Sequence, residues 1–480
     1  MDEAYTRLTN AEGLLLDGGS EGSDEVESLP GDDLPIDIPY AQELVFWKHL
    51  TMSLVFGAFM GLVGYGYLEC IETVQKKWWG DDYGSQTTVE FGQGRADWFW
   101  IMPLGGLLVG ICKVVVRMPE RIHGFMKEVQ EQHVDPITAP KVVLVSLLSL
   151  CAGTSLGPEA ALGSLGGGLA QFWSGRRGLS KEMTQRHVVD GMCGAMGCLF
   201  PSPAIAVACM AEIGKVEQMH TKYMESMVLM TMASSMSFGV YYALKDSSYL
   251  LFNPIALTYE FQSGDQFKAA VIGVVSSLFG LTHIIVAGIC KRVFKMIGSK
   301  IRNRQVRTVL LPIIGAVLLS AIAHLSPLTL GSGTTQTATM VKLAITKDIT
   351  YQVLFVAAIM KSFAFGISKS AGFIGGAIFP MIFVGNAWGL AFYLLLHDPN
   401  KTEQFLPLVL SSSCFMVGVP AAVSPMPLTL LMLVAFSFQL GAYQSTPIFV
   451  CAIVAHATIN GLGILKFLID AARRRHLESR

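Results

Sequence analysis

Charge is scarce in this chain. Only 15% of its 480 residues are Asp, Glu, Lys or Arg, 52% are hydrophobic, and the mean hydropathy is +0.49. A soluble globular domain carries about 25% charged residues, so a water-soluble fold is excluded and a polytopic membrane protein is indicated. No C-x-x-C pair is present. The nine cysteines (Cys70, Cys112, Cys151, Cys193, Cys198, Cys209, Cys290, Cys414, Cys451) are odd in number and lie mostly in apolar segments, as buried small hydrophobes do. The ten histidines are scattered, with no two at a metal-ligand spacing beside a carboxylate, so no zinc or hydrolytic metal is expected. No P-loop and no dinucleotide fingerprint occurs, which argues against a primary pump; no cofactor and no nucleic-acid partner is expected. No Ser/Lys, paired-Asp or His-Glu metal constellation supports an intramembrane enzyme.

What is present is apolar length. Stretches near the roughly 20 residues that a hydrocarbon core requires run over 44–69, 97–116, 224–244, 266–290, 308–325 and 350–368. Others, at 141–173, 188–213, 371–396, 405–440 and 446–469, are shorter or broken by Gly and Pro. Broken helices of that kind are tolerated only when buried in protein or lining a cavity. The sequence therefore predicts an all-α channel or transporter.

The net charge of −1 hides an asymmetry, since residues 1–40 hold eleven acidic side chains and a single basic one, Arg7. That arm is expected to be disordered. It has no basic stretch followed by an apolar core and so is not read as a secretory signal. Basic residues after the second span (Lys113, Arg117, Arg121, Lys127), between two later spans (Lys291, Arg292, Lys295, Lys300, Arg302, Arg304, Arg307) and at the end (Arg473, Arg474, Arg475) point to the cytosol by the positive-inside bias. Both termini are then expected to be cytosolic, although no feature names the membrane.

One carboxylate stands out. The run Gly153-Thr154-Ser155-Leu156-Gly157-Pro158-Glu159-Ala160-Ala161-Leu162-Gly163 sets Glu159 among small residues between two apolar segments. A carboxylate at membrane depth is costly unless it is paired or lines a watery cavity. The residues ahead of it unwind the chain and restart a helix, whose N-terminal N–H groups attract anions. A self-capping or exposed Glu159 is the plainer alternative.

A second Gly-rich helix start follows at Ala371-Gly372-Phe373-Ile374-Gly375-Gly376-Ala377-Ile378-Phe379-Pro380. Each start precedes a Pro-punctuated turn, Phe200-Pro201-Ser202-Pro203-Ala204 in one half and Val423-Ser424-Pro425-Met426-Pro427-Leu428 in the other. Paired interrupted segments are the mark of inverted repeats with a site between them. Close helix packing through small residues also explains the glycines.

On these residues the chain resembles the CLC family of chloride channels and chloride/proton exchangers, over roughly residues 44–469. Gly157 to Ala161 and Leu165-Gly166-Gly167 are similar to that family's G-[KR]-E-G-P segment, with Glu159 at the gating glutamate. Gly375 to Pro380 resembles the G-G-x-F-x-P segment, whose backbone amides line the anion site. The resemblance implies a bundle of about eighteen helices in two inverted halves (44–245 and 264–469), many not fully crossing. It also implies a homodimer with one pathway per subunit, embedded in lipid. Residues 41–470 would form the membrane domain and 471–480 a short basic tail, with no C-terminal nucleotide-binding module.

Departures from the pattern are specific. Pro158 replaces a basic residue, which reduces the electrostatic help for an anion. The family's G-S-G-I-P segment should fall near Val115 to Glu120, where no serine stands, and a late tyrosine has no match in Ala457 to Gly463. Thr458 or Asn460 could substitute as donors. Glu212 resembles the first of two acidic positions at a helix end, which puts Ile213 at the proton-carrying one; shifted by one residue, Glu212 itself becomes a possible proton path.

The mechanism expected on this basis is a passive chloride channel. Helix N-termini would stabilise a dehydrated anion at Gly157, Glu159, Ala160, Ala377, Ile378 and Phe379 without fixed positive charges, and the Glu159 carboxylate would compete as the gate. A coupled chloride/proton antiporter and a non-conducting scaffold are the alternatives. Other marked residues have structural readings: Glu212 as a helix-end carboxylate paired with backbone or Lys215, Asp190 in an ion pair near the surface with Arg186 and His187, Met219 to Met236 as lipid-facing or subunit-packing surface, and His456 as a satisfied core histidine.

Overall fold

The computed structural model describes residues 44–80, 92–119, 122–214, 223–245, 259–397 and 404–464. The acidic arm, Arg121, Lys215, Met219 and the basic tail lie outside the described residues. The chain divides into two units, Met1–Phe46 and Trp47–Arg480, and the second contains the helical fold.

Sixteen α-helices and no strand occur among the described residues. The first eight are α1 (Leu44–Trp79), α2 (Trp98–Val115), α3 (Phe125–Glu131), α4 (Ala139–Cys151), α5 (Glu159–Arg176), α6 (Lys181–Gly197), α7 (Pro203–Ile213) and α8 (Tyr223–Lys245). The second eight are α9 (Asp265–Ser299), α10 (Arg304–Leu325), α11 (Thr334–Thr346), α12 (Tyr351–Ala371), α13 (Ile378–Leu396), α14 (Leu408–Ala421), α15 (Pro427–Ser437) and α16 (Ala442–His456), which ends in a π turn at Ala457–Gly461. Three pairs taken in order match in length: α1 and α9 have 36 and 35 residues, α5 and α13 have 18 and 19, and α7 and α15 have 11 each. Other pairs taken in order differ, α4 and α12 having 13 and 21 residues and α8 and α16 having 23 and 15, and the described α-helices number sixteen rather than about eighteen.

Eight of the helices are long and apolar enough to cross a membrane. The predicted breaks fall where glycine and proline put them. The run 141–173 splits into α4 and α5, 188–213 into α6 and α7, and 405–440 into α14 and α15, with Pro at the first or second position of α4, α7 and α15. The run 371–396 holds one helix, α13, because Gly372, at a φ of 94°, ends α12 early and leaves 373–377 unwound.

Packing between helices rests on small residues, as expected where lipid supplies no hydrophobic drive. α5 crosses α6 backbone to backbone: a Cβ on Gly166 would lie 2.1 Å from the Gly191 oxygen, and one on Gly191 would lie 2.4 Å from the Gly166 oxygen. Their counterparts α13 and α14 meet at Gly385, where a Cβ would lie 2.3 Å from the Phe415 oxygen. All nine cysteines are free, and seven are buried.

Candidate functional site: two helix starts around Glu159

The two unwound segments meet. Gly157 and Gly376 form an isolated antiparallel bridge, Gly157 N–H donating to Gly376 O at 3.0 Å and Gly376 N–H to Gly157 O at 2.7 Å. The bridge is flanked by a reciprocal pair of serine contacts. Ser155 N–H donates to Ser368 Oγ at 3.2 Å and Ile374 N–H to Ser149 Oγ at 3.2 Å, so that the helix before each break steadies the break of the other half. Helices α5 and α13 start just beyond the bridge.

Glu159 is the first residue of α5 and is 1% exposed. Its Oε1 accepts the Phe379 N–H at 3.3 Å, from the first turn of α13, and the amides of Glu159 and Ile378 also act on the carboxylate. Those amides are donors that the first turn of any helix leaves without an internal acceptor. The carboxylate lies between the bridging glycines: a Cβ on Gly157 or Gly376 would come 2.1 or 1.9 Å from Oε2. Oε2 itself, though buried, has no hydrogen-bond partner among the described residues. A carboxyl group therefore sits where two helix N-termini converge, in a cradle only glycine leaves open. Of the sequence-marked residues, Gly157, Glu159, Ile378 and Phe379 are gathered here; Ala377 precedes α13 as its cap, and Ala160 faces the neighbouring cavity.

That cavity, of about 560 Å³, runs up to Ala160, Ser164 and Gly375. Met118, Pro119 and Gly124 form part of its wall, so the stretch following α2 reaches the cavity, ahead of a helix that starts at Phe125. Neither Thr458 nor Asn460 lines it. Thr458 Oγ1 donates to Val454 O at 2.7 Å and Asn460 Nδ2 to Ala422 O at 3.1 Å, both tying the end of α16 in place.

Glu212 lies apart from this centre. It closes α7 and accepts from Leu428 N–H (2.8 Å), Thr429 N–H (2.7 Å) and Thr429 Oγ1 (2.6 Å), capping the start of α15. Asp190 differs from the surface ion pair expected of it. It is 2% exposed and takes a hydrogen bond from Ser53 Oγ at 3.3 Å, while Arg186 pairs with Glu182 and, at 3.3 Å, with Glu225. Asp190 lies one turn further along α6 than Arg186, within the buried stretch His187–Gly197, and the Arg186 guanidinium is taken by the two glutamates. Met224 and Met236 are exposed but Met230 is buried, so the Met-rich run is only partly surface. His456 Nδ1 lies 2.9 Å from Ala421 O.

Sequence reasoning missed three charged groups. Lys361, fully buried, donates to Thr329 O (3.0 Å) and Gly331 O (2.6 Å) and lies 4.7 Å from the centre of the Phe383 ring. Lys369 donates to Gly375 O at 3.1 Å and lines the cavity. Glu128, also buried, accepts from Ser164 Oγ at 2.7 Å. The signal was present: a lysine within an apolar run is a functional pointer by default, and both lysines sit on α12.

A fold of many apolar helices, with two helix starts joined by a backbone bridge beside a buried carboxylate, defines an integral, multi-pass membrane protein. The profile of the family described as "Voltage gated chloride channel" matches residues 105–460, and the chain belongs to that family. It is 24% identical over 294 residues to a protein of Shigella flexneri named "Putative ion-transport protein YfeO", spanning 61% of this chain and 65% of that one. The protein of the same name from Escherichia coli (strain SMS-3-5 / SECEC) is 24% identical over 335 residues, 68% of this chain and 74% of that one. The fold is similar to that of a slow cyanobacterial Cl-/H+ antiporter, with a TM-score of 0.71 at 17% identity over 88% of this chain and 97% of that one. It is also similar to a CLC-type fluoride/proton antiporter, with a TM-score of 0.65 at 18% identity, covering 86% and 95%.

Proposed function

We propose that this protein exchanges a small monovalent anion, chloride in the first instance, for protons across a membrane, with Glu159 as the moving carboxylate. The observation that carries the proposal is the Glu159 side chain resting in the glycine cradle at the convergence of two helix starts. In this reading the carboxylate holds the place of a dehydrated anion. When it takes up a proton it loses its charge and its hold on the amides, and the anion enters; Gly157, Ala160, Ala377, Ile378 and Phe379 then line the occupied site with backbone groups. One group thus serves both substrates, which is the minimum that coupling requires.

Exchange is favoured over the passive channel first expected. The structures similar in fold include Cl-/H+ and F-/H+ antiporters, and the main reason for a channel is the lack of a proton carrier at Ile213. The cavity removes much of that reason, because it brings an open approach to Ala160, next to Glu159, with no second carboxylate needed. Glu212 is assigned a structural role. Its three donors would have to be given up before it could relay a proton.

The basic residues around the cavity, Lys113, Arg304 and Arg307, support a cytosolic-facing cavity by the positive-inside bias. Both termini are then cytosolic, and the assembly proposed is a lipid-embedded homodimer with a pathway in each subunit. The acidic arm 1–40 and the tail 471–480 flank the membrane domain. The test is purified protein in liposomes under an imposed chloride gradient. Exchange predicts uphill proton movement; anion flux without protons is the channel result, and no flux of either is the scaffold result.

A further inference from the structure

Where α1 begins and α5 ends, the surface carries positive charge without partners. An open pocket of about 350 Å³ is lined there by Trp47, Lys48, Thr51 and Met52 of α1 and by Arg177, which follows α5. No Asp or Glu is among the described residues that line it. Arg176, the last residue of α5, adds a third cation. The nearest acid further along the chain, Glu182, is held by Arg186, and Lys48, Arg176 and Arg177 form no ion pair among the described residues. A helix dipole favours cations at its C-terminal end, but it does not account for how these are placed. Both guanidinium groups lie over aromatic rings, Arg176 5.6 Å from the centre of the Phe172 ring and Arg177 4.6 Å from that of Trp173.

Stacking on a ring leaves the edge of a guanidinium, with its N–H donors, unspent. The hydrogen bond that Arg177 makes among the described residues goes to a thioether, Met52 Sδ at 3.8 Å, which is a weak acceptor. An arginine fixed in this way is prepared for bidentate contact with a phosphate. The surroundings select a lipid phosphate rather than a dissolved one. Trp47 and Trp173 are 54% and 40% exposed, and tryptophan rings beside basic groups mark the level at which the headgroups of a bilayer lie. From Trp47 a ridge of four-residue spacing runs along α1 through Thr51, Val55 and Phe59, all exposed. α1 is among the helices long and apolar enough to cross a membrane, so the pocket opens onto an apolar strip on which an acyl chain can lie.

We propose that this pocket binds the headgroup phosphate of an anionic phospholipid, held by Arg177 and Lys48 with Arg176 adding charge, while an acyl chain follows the strip of Val55 and Phe59. The site joins the start of α1 to the end of α5, the helix that begins at Glu159. The orientation proposed above puts it in the cytosolic leaflet, whose surface is negative with anionic lipid. The binding itself does not depend on exchange.

The test is native mass spectrometry of the full-length protein in detergent, titrated with phosphatidylglycerol or with phosphatidylcholine. The wild type should retain one phosphatidylglycerol in preference to phosphatidylcholine and keep it against an excess of inorganic phosphate. Lys48→Met and Arg177→Met should each weaken that retention by about fivefold, with elution in size-exclusion chromatography unchanged. Should Arg177→Met fail to fold, Lys48→Met, at an exposed position on a different helix, decides. Lys291→Met/Lys295→Met, which removes two exposed charges elsewhere, should leave retention as it is. An equal loss in that control, displacement of the lipid by inorganic phosphate, or no preference over phosphatidylcholine overturns the assignment. Lipid retention is read without transport, so its failure is separate from failure of the exchange reading, which liposome proton movement decides alone.

Discussion

Gly157 and Gly376 trade backbone hydrogen bonds, at 3.0 and 2.7 Å, and between them lies the carboxylate of Glu159. The bridge is reciprocal in the way the serine contacts around it are reciprocal, so the two halves of the chain meet on a local twofold relationship. The site breaks that symmetry in one respect. The α5 start carries a glutamate where the α13 start carries Ile378, so one carboxylate, not two, occupies a cradle built by both.

The cradle makes its own prediction. In Gly376→Ala the added methyl would stand 1.9 Å from Oε2, and the group it meets is the far end of a flexible side chain rather than backbone. The variant should fold, because the carboxylate can leave. Its liposome flux should lose its dependence on pH, as Glu159→Ala should, and a wild-type pH profile would count against the cradle.

Glu212 separates a cap from a relay. Glu212→Ala leaves the Leu428 and Thr429 amides without their acceptor and should cost about 0.5–2 kcal/mol, the usual scale for a lost helix cap. Thermal unfolding in detergent should show the loss, while the ratio of protons to anions moved stays at its wild-type value. A changed ratio with unchanged stability would reverse the assignment.

Lys361 is predicted to be structural. Lys361→Met keeps the length of the side chain but strands the Thr329 and Gly331 carbonyls, and charged hydrogen bonds of this kind contribute about 1.5–3 kcal/mol each. The expected result is a large fall in thermal stability and in yield of monodisperse protein, measured by size-exclusion chromatography.

Much of this architecture was legible. Apolar run length gave the spans, and Gly and Pro gave the breaks, because in lipid a backbone can unwind only where protein or a cavity satisfies it. Glu159 was legible for the same reason, as a charge whose burial needs a purpose. The meeting of Ser149 with Ile374 and of Ser155 with Ser368 was not, since such contacts depend on how two distant segments dock rather than on local pattern. Asp190 is misplaced by a sequence reading because nearness to Arg186 along the chain does not reveal that Glu182 and Glu225 hold the guanidinium instead. The lysines of α12 escape it for a different cause: Lys369 reads as an interruption in an apolar run, when the cavity it opens into is what makes its charge tolerable.

The most direct measurement of the central claim records proton and chloride movement together in liposomes bearing Glu159→Gln, which keeps the shape of the side chain and removes its charge. The account predicts that chloride flux persists while chloride-driven proton movement, present in the wild type, disappears. Proton movement that survives the substitution would contradict it, because the carboxylate in the cradle would then carry neither the proton nor the anion's place.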